Sequence, residues 1–234
     1  MSDYQNFAAT AEPADVMARD FTAPRLDFTP HRSGIYRRIF KRALDVSVIL
    51  LMAPIVVPLV AMLAVMVMRD GGKPFYVQDR VGAGGRNFRM WKLRSMSVDA
   101  DARLEDHLSA DPLARQEWDR DQKLKNDPRI TRFGRLLRKS SLDELPQLWN
   151  VFRGDMSLVG PRPMMPDQQV LYPGKSYYSL RPGITGIWQV SERNLSSFAD
   201  RARFDLQYDT SLSLGTDLRL LLATVRVVLR ATGY

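Results

Sequence analysis

The chain has 234 residues, with 34 Lys and Arg against 26 Asp and Glu, and a formal net charge of +8 at pH 7. It contains no cysteine and only two histidines, which excludes a disulfide scaffold and Cys-ligated metal sites and makes a Ser-His-Asp hydrolase improbable. The positive balance indicates an anionic partner, whether nucleic acid, a membrane surface or a phosphorylated substrate.

Residues 1–33 carry three prolines and show no helical or strand periodicity. They lack the basic start and continuous apolar run of a secretory signal. We therefore expect a disordered cytoplasmic tail at this end of the chain.

The segment 34–72 contains an uncharged apolar run, Val46–Met68, with basic residues on both sides. At about 1.5 Å rise per residue, a helix of these 23 residues would cross the roughly 30 Å hydrocarbon core of a bilayer. The alternative is a buried helix of a soluble core, but such helices rarely run this long without a polar face. Membrane association is therefore the preferred reading.

Two features of this run argue against a simple span. Pro54 and Pro58 each remove a helix hydrogen bond near its middle. Positive charge on both sides differs from the one-sided excess that a span usually shows. We predict a helix–break–helix that enters and leaves the membrane on the cytoplasmic side, with a Pro-kinked ordinary span as the alternative.

The remaining segment, 73–234, is predicted to be a cytoplasmic catalytic domain of α+β class, mostly helical, with one short β-hairpin. The hairpin strands are Pro74–Gln78 and Asn87–Met96, joined by the glycine-rich turn at 82–85. Helical segments are predicted at 99–125 with an interruption at Asp111-Pro112, at Ser140–Phe152, at Phe198–Tyr208 and at Leu218–Leu229, and loops at Gly154–Pro163 and Pro182–Gly186.

The last predicted helix, Leu218–Leu229, is apolar and carries Arg219, Arg226 and Arg230 at helical spacing. This pattern suits an amphipathic helix at the membrane surface, with its apolar side towards acyl chains and its arginines towards phosphates. A helix packed in an ordinary protein core explains the pattern equally well.

The segment Ser141–Pro146 has the acidic pair Asp143-Glu144. Ser-x-x-Glu is also the pattern of a helix capping box, which is the purely structural interpretation. Adjacent carboxylates on a helix point about 100° apart, so one can face a phosphorus atom while the other binds a metal. Carboxylates also act as nucleophiles towards phosphoryl groups.

Cations of the kind that phosphoryl transfer needs are present in several segments. Lys92 and Arg94 lie two residues apart and hence on one face of a predicted strand. Arg138 shortly precedes the acidic pair, and Arg162 is restricted between two prolines. Together they predict an anion site that faces a membrane.

Several ordered motifs resemble those of the bacterial sugar transferases, the monotopic polyprenyl-phosphate phosphoglycosyl transferases, in particular the short exopolysaccharide hexose-1-phosphate transferases of the rhizobial type. The resemblance covers about residues 35–234. It rests on the basic-flanked apolar run and on Phe88–Met96, Arg138–Gln147, Gly154–Pro163 and Arg181–Gly186.

This resemblance implies transfer of a sugar-1-phosphate, of a hexose such as galactose or glucose, from a UDP-sugar to undecaprenyl phosphate with release of UMP. It further implies that Asp143 attacks the β-phosphate and forms an aspartyl phosphosugar, and that Glu144 helps bind Mg²⁺. The matched positions expected to hold phosphates are Lys92, Arg94, Arg138 and Arg162.

Other matched positions are less regular. Trp188–Asn194 resembles a family stretch in which Gly stands where this chain has Glu192, so the backbone placement of the implied substrate-binding residue Arg193 is in question. Asp205 and Tyr208 match an acidic–aromatic pair that we expect near the substrate.

The resemblance places the protein at the bacterial inner membrane, with its catalytic domain on the cytoplasmic face, in contact with membrane lipids and upstream of further glycosyltransferases. The competing interpretation is a non-catalytic, membrane-anchored adaptor that binds anionic lipid. Nucleic-acid binding is not expected, because the chain lacks a helix-turn-helix or an aromatic stacking motif.

Overall fold

The computed structural model describes residues 34–121, 124–191 and 198–229. The predicted tail, residues 1–33, and Arg193 lie outside them. The described residues are mostly helical, as predicted. A π-helical turn at Tyr36–Phe40 leads into the first helix. The helices are α1 (Lys41–Val67), α2 (Ala100–Ala110), α3 (Pro112–Asp121), α4 (Arg132–Lys139), α5 (Gln147–Arg153), α6 (Ser176–Ser179), α7 (Ile187–Ser191), α8 (Arg201–Ser211) and α9 (Leu214–Leu229).

The predicted hairpin is confirmed. Its strands are β1 (Phe75–Val81) and β2 (Asn87–Leu93), which pair antiparallel with Phe75 opposite Leu93. The connecting turn contains Gly84 and Gly85 at φ angles of 69° and 77°, a backbone conformation that glycine adopts without a steric penalty.

A second, parallel strand pair was not predicted. β3 (Ser157–Val159) and β4 (Gly183–Thr185) lie within the two segments expected to be loops. A Cβ on Gly160 would overlap the carbonyl oxygen of Arg181, so the two chain segments approach more closely than most residues allow. Strands of three residues are too short to show the alternation that identifies a strand in sequence.

The long apolar helix α1 is continuous. Pro54 and Pro58 both lie inside it, and the backbone is helical from Lys41 to Val67. The prediction of a break at these prolines is therefore wrong at the level of backbone conformation. Each proline removes only one hydrogen bond, and packing along one face of the helix supports the remainder.

That packing places both ends of α1 against the same domain. The buried positions follow one another mostly at intervals of three, four or seven residues, which keeps them on one face of the helix, namely Lys41, Asp45, Ile49, Val56, Leu63, Ala64 and Val67. Near the start, Ile49 belongs to a core cluster with Met90 and Val151. Near the end, Leu63 and Val67 pack with Leu93.

The opposite face of α1 consists of exposed apolar side chains. Leu51 and Ile55 are 80% and 74% exposed. By length and composition, the helical stretch Tyr36–Asp70 is long and apolar enough to cross a membrane.

The last helix begins earlier than the predicted Leu218, at Leu214. Leu220 is buried in the core beside Ile49, whereas Leu218, Leu222 and Val225 form an exposed apolar stripe. Arg230, which was predicted to share the helix face with Arg219 and Arg226, lies outside the described residues.

Candidate active site

The acidic pair lies in a turn between two helices. The predicted single helix over Ser140–Phe152 is interrupted, because Ser141 adopts a left-handed backbone conformation with φ of 57°. A short 3₁₀ turn, Leu142–Glu144, follows, and α5 begins only after Pro146. In this turn Asp143 is buried, and the side chain of Glu144 remains partly exposed.

The capping box that Ser141 and Glu144 predict does not form. The side chain of Ser141 makes no capping hydrogen bond. Instead, the Nζ of Lys92 donates to Oε1 of Glu144 at 2.8 Å. A strand residue is thereby joined to the acidic pair, which favours the chemical interpretation of this segment over the purely structural one.

Asp143 is a buried carboxylate with cations nearby. Asp143 is only 8% exposed. Burial raises the pKa of Asp143 to about 6, while the positive charge of Lys92 acts to lower it. A buried carboxyl with a perturbed pKa beside a specific charged partner is typical of functional sites.

Arg138 also approaches this carboxyl. Helix α4 is capped by Thr131, whose hydroxyl oxygen accepts from the N–H of Gly134 at 2.8 Å. A Cβ on Gly134 would overlap the backbone of Ser95, so glycine allows the helix to pack directly against the segment after β2. The Nε of Arg138 donates to the hydroxyl of Ser95 at 2.8 Å, and its charge acts on the pKa of Asp143.

A small cleft beside Glu144 brings together residues that are far apart in the sequence. Among its lining residues are three that were predicted to bind the substrate or a metal: Lys92, Glu144 and Arg162. Three others were not predicted: Arg80, Gln147 and Gln189. Arg80 follows the apolar run on β1, and no sequence motif singled it out. Gln189 lies inside the Trp188–Asn194 motif without having been singled out.

Two arginines share one indole ring at this cleft. The guanidinium carbons of Arg162 and Arg201 lie 5.5 Å and 4.4 Å from the centroid of the Trp188 ring. Cation–π contacts of this kind hold guanidinium groups in fixed positions. No sequence motif identified Arg201.

Arg94, predicted to hold a phosphate, lies elsewhere. Its guanidinium donates to the carbonyl oxygens of Val67 and Lys73 at 3.1 Å and 2.7 Å and forms an ion pair with Asp70. It therefore fastens the end of α1 to β2 and lines a separate cavity there. Strand alternation places Arg94 on the same face as Lys92. It does not identify which residue the side chain of Arg94 contacts.

Asp205 and Tyr208 are buried and do not line the cleft. Asp205 accepts a hydrogen bond from the hydroxyl of Tyr172 at 2.8 Å, and burial raises its pKa to about 7. The hydroxyl of Tyr208 bonds to Asp217 and Lys41 at 2.6 Å and 2.8 Å. Both side chains therefore form hydrogen bonds with other side chains of the fold, and neither lines the cleft.

The described residues contain no group of three or more His, Cys, Asp or Glu that could enclose a metal ion. Mg²⁺ is commonly held by one or two carboxylates together with substrate phosphates rather than by an all-protein cage. Glu144 at the cleft therefore fits a magnesium ion shared with a diphosphate.

Comparison with known proteins identifies the family of this chain. A family model described as bacterial sugar transferase matches residues 36–231. The chain is 50% identical over 198 residues to a UDP-galactose-lipid carrier transferase of Erwinia amylovora, and 46% identical over 198 residues to an undecaprenyl-phosphate galactose phosphotransferase of Salmonella typhimurium. It is 42% identical over 215 residues to the exopolysaccharide production protein ExoY of Rhizobium meliloti.

The matched region covers 84% of this chain in the first two comparisons and 88% in the third. It spans 42% of the Erwinia and Salmonella proteins but 94% of the Rhizobium protein. The family match extends over nearly all the described residues, including the acidic pair and the cleft. The chain belongs to the bacterial sugar transferase family.

Proposed function

We propose that this chain transfers a sugar-1-phosphate from a UDP-sugar to undecaprenyl phosphate, with UMP as the second product. The observation that carries the proposal is the buried carboxyl of Asp143, whose neighbour Glu144 lines a cleft together with Lys92 and Arg162. The names of the relatives, which include a lipid carrier transferase and an undecaprenyl-phosphate phosphotransferase, support the substrate classes. Galactose and glucose are the hexoses that the names of relatives suggest.

In the first half-reaction, a carboxylate oxygen of Asp143 attacks the phosphorus that carries the sugar. The bond between this phosphorus and the bridging oxygen of the diphosphate breaks, and UMP leaves with the electron pair. The product is an aspartyl phosphosugar. Burial favours this attack because a carboxylate that has lost part of its hydration is more basic and more nucleophilic.

In the second half-reaction, a phosphate oxygen of undecaprenyl phosphate attacks the same phosphorus. The bond to Asp143 breaks, which restores the carboxylate and leaves the sugar joined to the lipid through a diphosphate. Both steps place negative charge beside Lys92, Arg138 and Arg162, whose fixed positive charges stabilise it.

Glu144 would hold Mg²⁺ together with the phosphate oxygens of the donor. The ion, when bound, neutralises charge on the diphosphate and makes UMP a better leaving group. Lys92 contacts the same carboxylate at 2.8 Å, so it keeps Glu144 directed towards the cleft.

The packing of α1 supports an arrangement at the cytoplasmic face of the inner membrane in which both ends of the helix stay on one side. Lys41 and Val67, at opposite ends of the helix, both contact the same domain, through Asp217 and Leu93. A helix that crossed the bilayer upright would separate its ends by the thickness of the membrane. In this arrangement the product would pass, still bound to membrane lipid, to the glycosyltransferases that extend an exopolysaccharide.

The adaptor interpretation is less well supported by the cleft. An adaptor that binds anionic lipid has no use for the carboxylates of Asp143 and Glu144, which would repel a lipid phosphate. A magnesium-dependent phosphoryl transferase uses both. The pair therefore favours an enzyme.

The test is UMP release from a panel of UDP-sugars by detergent-solubilised protein supplied with undecaprenyl phosphate and Mg²⁺. Without the lipid acceptor, mass spectrometry should find a sugar phosphate on the peptide that contains Asp143. Asp143→Asn should abolish turnover and adduct, whereas Asp79→Asn, which removes an exposed carboxylate on β1, should change neither. Unchanged turnover in Asp143→Asn would contradict the proposal.

A further inference from the structure

Three arginines gather at the cleft that Lys92 and Glu144 also line. Arg80 and Arg162 line the cleft directly, and Arg201 shares the Trp188 ring with Arg162. Arg80 is anchored by a hydrogen bond from its Nη1 to the carbonyl oxygen of Pro163 at 3.3 Å. These contacts fix the guanidinium groups in a cluster that comes from three distant parts of the chain.

Several buried polar atoms of this cluster have no hydrogen-bond partner among the described residues. They are the Nε atoms of Arg80 and Arg201 and both amide atoms of Gln189. Gln189 is 3% exposed and lines the cleft. A buried donor without a partner is costly, and such atoms in a native fold call for a specific explanation, such as a bound ligand.

The cluster also holds positive charges close to one another. The pKa of Arg201 is lowered to about 10, first by burial and then by the charge of Arg162. The same two causes lower the pKa of Arg80. The carboxyl of Asp205, which opposes this effect, is bonded to Tyr172 and has a pKa raised to about 7 by burial. Like charges held together out of water favour an anion between them.

We propose that Arg80, Arg201 and Gln189, together with Arg162, form a second anion subsite that holds the phosphate remaining on the nucleotide after transfer. This inference rests on the proposed function. Glu144 lines the same cleft as Arg80, Arg162 and Gln189, so a diphosphate with its sugar-bearing phosphorus at the neighbouring Asp143 can place its second phosphate at the cluster. Guanidinium groups bind phosphate through paired hydrogen bonds.

This subsite acts on the leaving group. When the bond between the sugar-bearing phosphorus and the bridging oxygen breaks, the electron pair remains on the nucleotide phosphate. Negative charge therefore grows at the arginine cluster, where fixed cations stabilise the transition state more than the intact diphosphate. Gln189 can donate to a phosphate oxygen through its amide nitrogen.

The experiment compares UMP with uridine, which lacks the phosphate, in calorimetric titrations of the detergent-solubilised full chain. Arg201→Gln and Gln189→Ala should each weaken UMP binding, by at least tenfold for the arginine and severalfold for the glutamine. Uridine binding should stay within twofold of wild type. The matched control is Arg89→Gln, which removes an exposed arginine from β2 and should leave UMP affinity unchanged.

Thermal unfolding separates a ligand subsite from a structural role. If Arg201 serves the fold, Arg201→Gln should lower the melting temperature without ligand. If it serves an anion, the variant should melt at the same or a higher temperature without ligand, because a buried like charge has been removed. Its stabilisation by saturating UMP should then be smaller than that of wild type.

Several outcomes would overturn the subsite. They are UMP affinity within twofold of wild type in both variants, an equal loss of uridine affinity, or a loss of affinity for undecaprenyl phosphate while UMP binding is unchanged. These binding measurements need no turnover. If wild-type protein released no UMP from any UDP-sugar, the proposed function would be wrong. The binding measurements would still decide whether the cluster binds a nucleotide phosphate.

Discussion

Lys41 at the start of α1 and Asp217 in α9 form a buried ion pair, with the Nζ of Lys41 2.8 Å from Oδ2 of Asp217. Their side chains are 8% and 1% exposed. Asp217 also accepts hydrogen bonds from the hydroxyls of Tyr36 and Tyr208 at 2.7 Å and 2.6 Å. One carboxylate thus fastens the beginning of the apolar helix to the last helix and to α8.

Asp217→Ala should destabilise the protein by about 3–5 kcal/mol, because it leaves the Lys41 ammonium buried without a counter-charge. We expect a clear fall in melting temperature in detergent. The double variant Lys41→Met/Asp217→Leu should recover much of that loss, since neither charge remains. Asp106→Ala, at an exposed position on α2, is the control and should melt like wild type. Equal melting of Asp217→Ala and the control would contradict the role of this pair.

The rate of aspartyl adduct formation should rise with pH and level off above about pH 6. Only the ionised carboxylate of Asp143 is a nucleophile, and burial raises its pKa to about 6. The measurement is single-turnover formation of the adduct between pH 5 and pH 8 without lipid acceptor. A rate that is already constant from pH 5 upwards would show that this group is not the one that titrates.

The raised pKa of Asp143 also predicts how the stability of the protein depends on pH. At pH values below 3.8, the ordinary pKa of an aspartate, the carboxyl is protonated in both the folded and the unfolded chain, so burial carries no charge penalty. Between pH 3.8 and about 6 the unfolded chain ionises more readily than the folded one, so the folded state loses stability, and the full difference corresponds to about 3 kcal/mol. Asp143→Asn should therefore melt above wild type at pH 8, and this advantage should vanish as the pH falls below 4.

Glu144→Gln should abolish transfer while changing stability little. The pair with Lys92 is partly exposed, with side chains 25% and 21% exposed, and such pairs contribute at most about 1 kcal/mol. EDTA should abolish wild-type activity, and added Mg²⁺ should restore it. Glu105→Gln on the exposed face of α2 is the matched control. A large fall in melting temperature that accompanies the loss of activity would instead indicate a structural role for Glu144.

The two ends of α1 should lie on the same side of the membrane. Single cysteines can be placed at Gly34 and at Lys73, both exposed, in a chain that has no native cysteine. Lys73 is preferable to Gly71, because Gly71 has a φ of 84° that a cysteine would strain. An impermeant thiol reagent should label neither position in intact cells and both after the inner membrane is opened, with a cysteine at Ala102 on α2 as the cytoplasmic reference. Labelling at Gly34 from outside would mean that α1 spans the membrane.

Local patterns in the sequence were sufficient for several features. Alternation and a glycine turn predicted the β1–β2 hairpin, and an uncharged run predicted an apolar helical segment, although not that α1 would be unbroken at its prolines. The order of motifs predicted the family, which the comparisons confirmed. Each of these signals depends on residues close together in the chain, where the backbone itself sets the geometry.

The tertiary structure alone decided which charges belong to the cleft. Lys92 and Arg94 are equivalent in strand periodicity, yet Lys92 meets Glu144 and Arg94 meets Asp70 at the end of α1. Likewise, nothing local distinguishes Arg80 or Arg201 from surface arginines until Trp188 and the prolines around Arg162 are brought beside them. Periodicity reports which face of an element a side chain occupies, whereas the partner of a guanidinium is set by segments that are distant in sequence and meet only when the core packs.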